Sequence, residues 1–371
     1  MNARSSLRTS FLMRTAALGS LLLSATIAQA DQSQFVNAKA EARAVNQNLS
    51  ATLNQIATES PQPVWIAYEV DSVPGNHSVC CGNYRGDGQQ SYCGVCELEQ
   101  KHGDTIIGQK QKKTLKLEQA AQLTILLRVD QKRVMRIRFA SSDCSLDAGG
   151  LRVVWLTGVK AAESVSLLTS FVTAKGADPG NDEGLSSQAV MAIAQHADPS
   201  ADRALATFVA PDQPFALREK ASFWLGAARG KSGLALLEKM AKTDPNPDMR
   251  AKVSFALFVS QEPEAVDDII HMAKDDADSH VRSQALFWLA QKAGQKAAGT
   301  IGNAIQNDPD TEVKKKAVFA LTQMPDNEGV PKLIEVAQNN KNPEVRKQAM
   351  FWLGQSKDPR AVAFFEKILS E

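Results

Sequence analysis

DPNPDMRAKVSFAL (residues 244–257), DADSHVRSQALFWL (276–289), DPDTEVKKKAVFAL (308–321) and NKNPEVRKQAMFWL (340–353) are one pattern returning every 32 residues. Phe223, Phe255, Phe287, Phe319 and Phe351 keep step without a slip, and Met191 fills the same slot one interval earlier. Five places before each phenylalanine stands a basic residue: Arg218, Arg250, Arg282, Lys314 or Arg346. Two places after each comes Leu225, Leu257, Leu289, Leu321 or Leu353, with Ile193 heading the column. Self-similarity at such a period marks a stack of small units, each too small to bury its own apolar face.

Each unit reads as two helices. In the last one, Val330, Leu333, Ile334, Val336 and Ala337 recur at helical spacing, Asn340 to Glu344 turn the chain, and Val345, Ala349, Phe351, Trp352 and Leu353 mark a second helix. The turn begins with Asp or Asn and carries an acid just before the basic residue. Side-chain oxygens there accept hydrogen bonds from free backbone N–H groups, and negative charge complements the helix dipole.

Helix, then Asp308-Pro309-Asp310-Thr311-Glu312-Val313-Lys314, then an Ala/Leu-rich helix resembles a short HEAT repeat of the phycobilin-lyase-like kind, as does Asn342-Pro343-Glu344-Val345-Arg346. The resemblance implies an all-α solenoid of six repeats over residues 186–371. It also implies that Asp244, Asp276, Asp308 and Asn340 pair along the stack with Arg218, Arg250, Arg282, Lys314 and Arg346. This is expected to be a structural ladder; the alternative is a basic ladder that grips an acidic ligand. The second helix of each unit would line a concave face, and such faces bind protein.

The position after each phenylalanine alternates: Ala192, Trp224, Ala256, Trp288, Ala320, Trp352. A dense core interlocks an indole with an alanine more readily than two indoles. The tryptophans, with the phenylalanine column, are therefore expected in the core. The alternative is an aromatic ladder for a sugar or peptide.

Upstream, residues 1–30 have the form of a secretory signal. Arg4, Arg8 and Arg14 lead, Ala16 to Ala25 is apolar, and Ala28-Gln29-Ala30 is a small-x-small cut site. The apolar run is too short to span a bilayer, so cleavage, export to the periplasm or outside the cell, and no stable membrane insertion are expected. The formal charge of +1 turns slightly acidic once the three leading arginines are removed, which is not the balance of a nucleic-acid binder.

Residues 31–174 read as an α+β domain, and the polar, glycine-rich stretch 175–185 as the linker. Within the domain the spacing predicts a helix over 33–58, a strand over 64–70, and a hairpin from Leu123 to Phe139 turning at Asp130-Gln131-Lys132-Arg133. A further strand is expected at Leu151 to Trp155 and a helix through Val165 to Val172. The second hairpin arm is expected to put Met135, Ile137 and Phe139 on one face. Arg128, Arg133, Arg136 and Arg138 form either a solvated strand face or an anion patch.

All five cysteines lie in this domain. In an exported protein they read first as disulfides: Cys80 and Cys81, whose direct bond would be strained, each join Cys93 or Cys96. Cys144 is then left over, as a buried thiol or as a fifth player displacing one of the four. Zinc held by the four thiolates, or by three with His77 or His102, is the sharper alternative. Redox work at Cys93-Gly94-Val95-Cys96 lacks its usual helix context. No spacing among the five histidines suggests a ligand set, and no cofactor is expected. The composite expectation is a non-catalytic exported scaffold for a protein partner. A small-ligand or metal sensor comes second, and an enzyme such as a thiol-redox protein or a lyase third.

Overall fold

The computed structural model describes residues 34–74, 78–80, 83–85, 95–99, 122–142, 144–178, 180–181, 184–325 and 328–370. The signal-like leader, Cys81, Cys93, His77 and His102 lie outside them; of Cys80 only the backbone is described.

The first half is an α/β unit. Its strands are β1 (Phe35–Val36), β2 (Lys39–Ala44), β3 (Val64–Asp71), β4 (Ser78–Cys80), β5 (Asn83–Arg85), β6 (Cys96–Glu97), β7 (Gln122–Asp130), β8 (Arg133–Ser141), β9 (Leu146–Asp147) and β10 (Arg152–Thr157). Its helices are α1 (Leu49–Glu59) and α2 (Ala161–Val172). The main sheet runs β2-β10-β3-β7-β8, parallel across the first three strands and antiparallel across the rest. A sheet covered on both faces needs apolar residues at successive positions. β3 supplies them: Val64, Ile66, Tyr68 and Val70 face the helices, while Trp65 and Ala67 enter a second core with Leu126, Val153 and Trp155. That second core is closed by the small parallel sheet β1-β9-β6.

The predicted helix over 33–58 exists only from Leu49, where the Asn48 side chain caps it by accepting from Ala51 N–H. Lys39–Ala44 is a strand, paired along its whole length with β10. Its alanines at 40, 42 and 44 fit a period of two as well as one of four, and pairing decides between them. In the hairpin, Arg128 opposes Arg136 and Val129 opposes Val134, so Met135 is the extra residue of a bulge. The bulge flips the parity of the strand beyond it. Val134 takes the inward place beside Ile137 and Phe139, and Met135 is 57% exposed rather than sharing their face.

The second half is helical: α3 (Leu185–Ala194), α4 (Pro199–Phe208), α5 (Phe215–Ala228), α6 (Gly230–Thr243), α7 (Pro247–Val259), α8 (Ala265–Asp275), α9 (Ser279–Ala293), α10 (Gln295–Asn307), α11 (Thr311–Leu321), α12 (Val330–Asn339), α13 (Pro343–Gln355) and α14 (Pro359–Ser370). Two layers alternate. The odd helices from α3 to α13 pack closely on the next member of their own layer; α4, α6, α8, α10, α12 and α14 approach theirs more sparsely. Closer spacing on one side bends a stack toward that side, so the odd layer lines the concave face.

The two halves share a core that runs without a break from Leu49 to Phe364. Helix α2 covers the sheet beside α1 and also packs on α3 and α4, so it serves as the outer helix of the first repeat. The glycine-rich stretch after it is thus the loop of a helical hairpin. At the sheet edge, Ile137 N–H donates to Gln188 Oε1 of α3 at 2.7 Å. The end of β3 is tied to the loop after α3 by Val73 N–H to Gln195 O and Ala197 N–H to Asp71 O, both 2.9 Å.

Candidate interaction surface

The basic column lies in the first turn of the odd helices α5 to α13, beside the loops that lead into them. Arg250 donates to both oxygens of Asp276 at 2.8 and 2.9 Å, and Arg282 does so to Asp308 at 2.8 and 3.0 Å. Arg218 pairs with Asp244 in the same way of reaching one unit ahead. Each of the later arginines also turns back: Arg250 Nη1 donates to Asp244 O, Arg282 Nη1 to Asp276 O and Arg346 Nη1 to Asn340 O. One guanidinium therefore bolts two consecutive loops together. Burial works against charge at Asp276, yet hydrogen bonds from Arg250 and the Asp278 N–H hold its carboxyl below the usual range. The rung lapses at Lys314, whose ammonium donates to Gln306 O, while Asn340 turns toward Ile305 O and the Gln306 side chain. Helix entry is handled two residues beyond the ladder acids, where Asn246, Asp278, Asp310 and Asn342 cap α7, α9, α11 and α13.

The aromatic columns form the concave surface. Phe223 stacks on Phe255 at 5.9 Å between centroids, Phe255 meets Trp288 at 4.7 Å, and Trp288 meets Phe287 at 4.8 Å. The run continues through Phe287–Phe319 at 6.0 Å, Phe319–Trp352 at 4.9 Å and Trp352–Phe351 at 5.0 Å. Its depth differs from a core. Trp224 is buried at 4% exposure, but Trp288, Trp352, Phe223, Phe255, Phe287 and Phe319 are only partly covered, and Phe351 is 55% exposed. Of the expected core set Trp224 lies in the core, whereas Trp288, Trp352 and the phenylalanine column lie at its surface. A residue one step past an inward position rotates by roughly 100° around the helix, which aims each later indole at the phenylalanine of the preceding unit rather than at Ala256 or Ala320. Those two alanines are buried beneath.

Lysines border the rings. Lys220, Lys252 and Lys316 stand three residues before their phenylalanines, and Lys315 and Lys347 stand four before theirs. Lys252 pairs with Glu219 and Lys315 with Glu312, while Lys316 and Lys347 are exposed and form no ion pair with a described residue. Lys292 is drawn inward: it donates to Phe258 O and Ser260 O at 2.8 and 2.7 Å and sits 5.9 Å from the Phe258 ring centroid. Burial lowers its pKa.

Other sequence candidates are placed elsewhere. Cys96 and Cys144 are buried and disulfide-bonded. Cys144 is thus bonded, the fifth player and not a thiol left over. Separately, Cys96 N–H donates to Ser145 O, which sets the two stretches side by side in the second core. A bonded sulfur offers zinc no thiolate. Among the described residues no three His, Cys, Asp or Glu side chains are grouped to hold a metal, and no helix is long and apolar enough to cross a membrane. The arginine patch does not assemble as such. Arg128 is engaged by Glu99 and Asp130, Arg136 donates to Leu98 O, and Arg138 is buried; Arg133 alone stays exposed.

One group that spacing gave no reason to single out is His196. Its Nδ1–H donates to Ala192 O, Ser164 O–H donates to its Nε2, and Tyr68 O–H donates to Ser164 Oγ, each within 2.9 Å. Burial, with Arg229 nearby, pulls its pKa down to about 4, so the imidazole is neutral. Arg229 donates to the carbonyls of Ala194 and His196 and to Asp202. This chain of side chains joins strand β3, α2 and the first repeat.

Fold and surface together define a HEAT-like helical-repeat protein preceded by an α/β unit. Residues 203–290 and 300–371 match the family of HEAT repeats. Two solved structures are similar. The structure of human deoxyhypusine hydroxylase in complex with glycerol shares 15% identity, covering 56% of this chain and 90% of that one, with a TM-score of 0.30. The complex of CpcE and CpcF of phycocyanin lyase from Nostoc sp. PCC7120 shares 16%, covering 57% and 83%, with a TM-score of 0.28. Likeness at this level carries nothing about activity. No curated protein matches the chain.

Proposed function

We propose that this chain is an exported, non-catalytic scaffold that holds a protein partner on the concave layer of its repeats. The observation that carries the reading is the continuous, partly exposed run of rings from Phe223 to Phe351, bordered by Lys316 and Lys347. Aromatic side chains supply large contact area at low entropic cost, and they are enriched at protein interfaces. The cleavable form of residues 1–30 supports export.

A photo-reactive residue at Lys316 or Lys347, compared with one at Lys332 on the outer helix α12, tests the surface in cells that make the protein natively. Adducts of defined mass from the first two sites and none from the third are expected. Equal labelling from both layers, or none at all, would refute it. Sequencing the mature amino terminus tests export, which requires a start after Ala30.

A further inference from the structure

A second site lies in the α/β unit, away from the concave layer and independent of it. The tip of the β7–β8 hairpin folds over α1 and α2 and leaves a groove of about 340 Å³. Leu53, Val134, Leu167 and Phe171 make its apolar floor, and Lys132 and Arg133 stand at its rim. Val134 lines the floor only because the bulge at Met135 turned it inward.

The rim is built in an unusual way. Gln131 and Lys132 have φ of 49° and 62°, the two left-handed positions of a tight hairpin turn. Such turns favour Asn-Gly, because at positive φ a Cβ crowds the following carbonyl oxygen, a penalty that Gly lacks and that Asn offsets by local hydrogen bonding. Here the chain keeps a lysine at the second position. Non-glycine residues held in that region cluster at ligand clamps and active sites. Neither Lys132 nor Arg133 makes a side-chain hydrogen bond or ion pair with a described residue. Asp130, the acid across the turn, faces Arg128. The rim therefore presents two uncompensated cations above an apolar trough. On the trough's far side Ser170 gives its hydroxyl proton to Leu167 O, leaving its oxygen free to accept.

We propose that this groove binds a small amphipathic carboxylate. The carboxylate lies between Arg133 and Lys132, and a short alkyl or aryl body rests on Leu53, Val134, Leu167 and Phe171. A planar guanidinium matches a carboxylate through two parallel N–H donors, which sets Arg133 as the principal partner. The floor excludes a purely inorganic anion as the preferred ligand, since it would leave the apolar surface wet.

The test is titration of the purified full chain with octanoate, octylamine and acetate by calorimetry. Saturable octanoate binding at one site, with octylamine and acetate at least about tenfold weaker, is expected. Arg133→Gln should weaken octanoate about tenfold without moving the melting temperature. Lys132→Asn separates charge from strain: asparagine suits positive φ, so the melting temperature should rise while octanoate affinity falls. Ser170→Trp, at an exposed position on the groove wall, should abolish binding and leave the fold intact. Equal affinity for octanoate and octylamine, undiminished binding in Arg133→Gln, or no saturable binding overturns the proposal.

Discussion

Gly226 in α5 faces the backbone of α7, and a Cβ built there would lie 2.1 Å from Ala256 O and 2.9 Å from Ala256 C. Ordinary contacts of this type are longer by about 1 Å or more, so Gly226→Ala forces the two helices apart by a similar distance. Two effects oppose each other. Alanine improves helix propensity by about 1 kcal/mol over glycine. Overpacking typically costs about 1–3 kcal/mol, and the upper end applies because the obstacle is main chain and cannot rotate away. A net loss of about 2 kcal/mol follows. Gly299→Ala supplies the control, because a Cβ there meets nothing within 4 Å and the residue lies inside α10. The same substitution should stabilise by about 1 kcal/mol at that site. Equilibrium urea denaturation followed by circular dichroism measures both, with the denaturant slope checked for each variant because repeat arrays can unfold in stages. If Gly226→Ala matches or exceeds Gly299→Ala in stability, the close approach of the inner helices is wrong, and with it the direction of curvature.

The arginine ladder makes its own demands: Asp308→Ala should cost about 3–5 kcal/mol by stranding a buried guanidinium, read in the same urea titration. At the lapsed rung, Asn340→Asp combined with Lys314→Arg should be more stable than the sum of the two single changes predicts, by about 1 kcal/mol in a double-mutant cycle. Trp288 meets Phe255, Phe258 and Phe287, so Trp288→Ala should destabilise by about 2–3 kcal/mol, less than a fully buried indole would. His196 gives a pH signature. The folded protein keeps it neutral down to about pH 4, whereas an unfolded histidine takes up its proton below about 6.5. Its contribution is intact above pH 6.5, declines as pH falls to 4, and amounts to about 3 kcal/mol lost below that window. His196→Gln should flatten stability against pH in that range, and an unchanged slope would exclude the assignment.

The repeats were legible because their chemistry is periodic. Phe, Arg and Leu columns in strict register specify two helices and a loop wherever they recur, and the loop acids fall where the arginines reach. What spacing alone left undecided was depth. Phe255 and Leu257 look alike in a column, yet one ring stays partly open while the leucine is sealed, because helix rotation and not hydrophobicity sets which side meets the next unit. The α/β unit was harder for a different reason. Lys39–Ala44 is helix-forming by propensity, and only its pairing with β10 makes it a strand. Cys96 and Cys144 enter one core through the pairing of β6 and β9, two strands of two residues each, too short to leave a pattern. His196 gives no local signal, since Tyr68 and Ser164 reach it from distant parts of the chain.

Sharing α2 between the sheet and the first repeat has a topological consequence. A stack of hairpins has two ends, each with a raw apolar side that would attract a second molecule, and here the sheet serves as the permanent lid on one of them. A protease nick in the loop after α2 would not release two particles. The severed pieces stay docked through the Tyr68–Ser164–His196 line and the Gln188 contact, and the array keeps its shape.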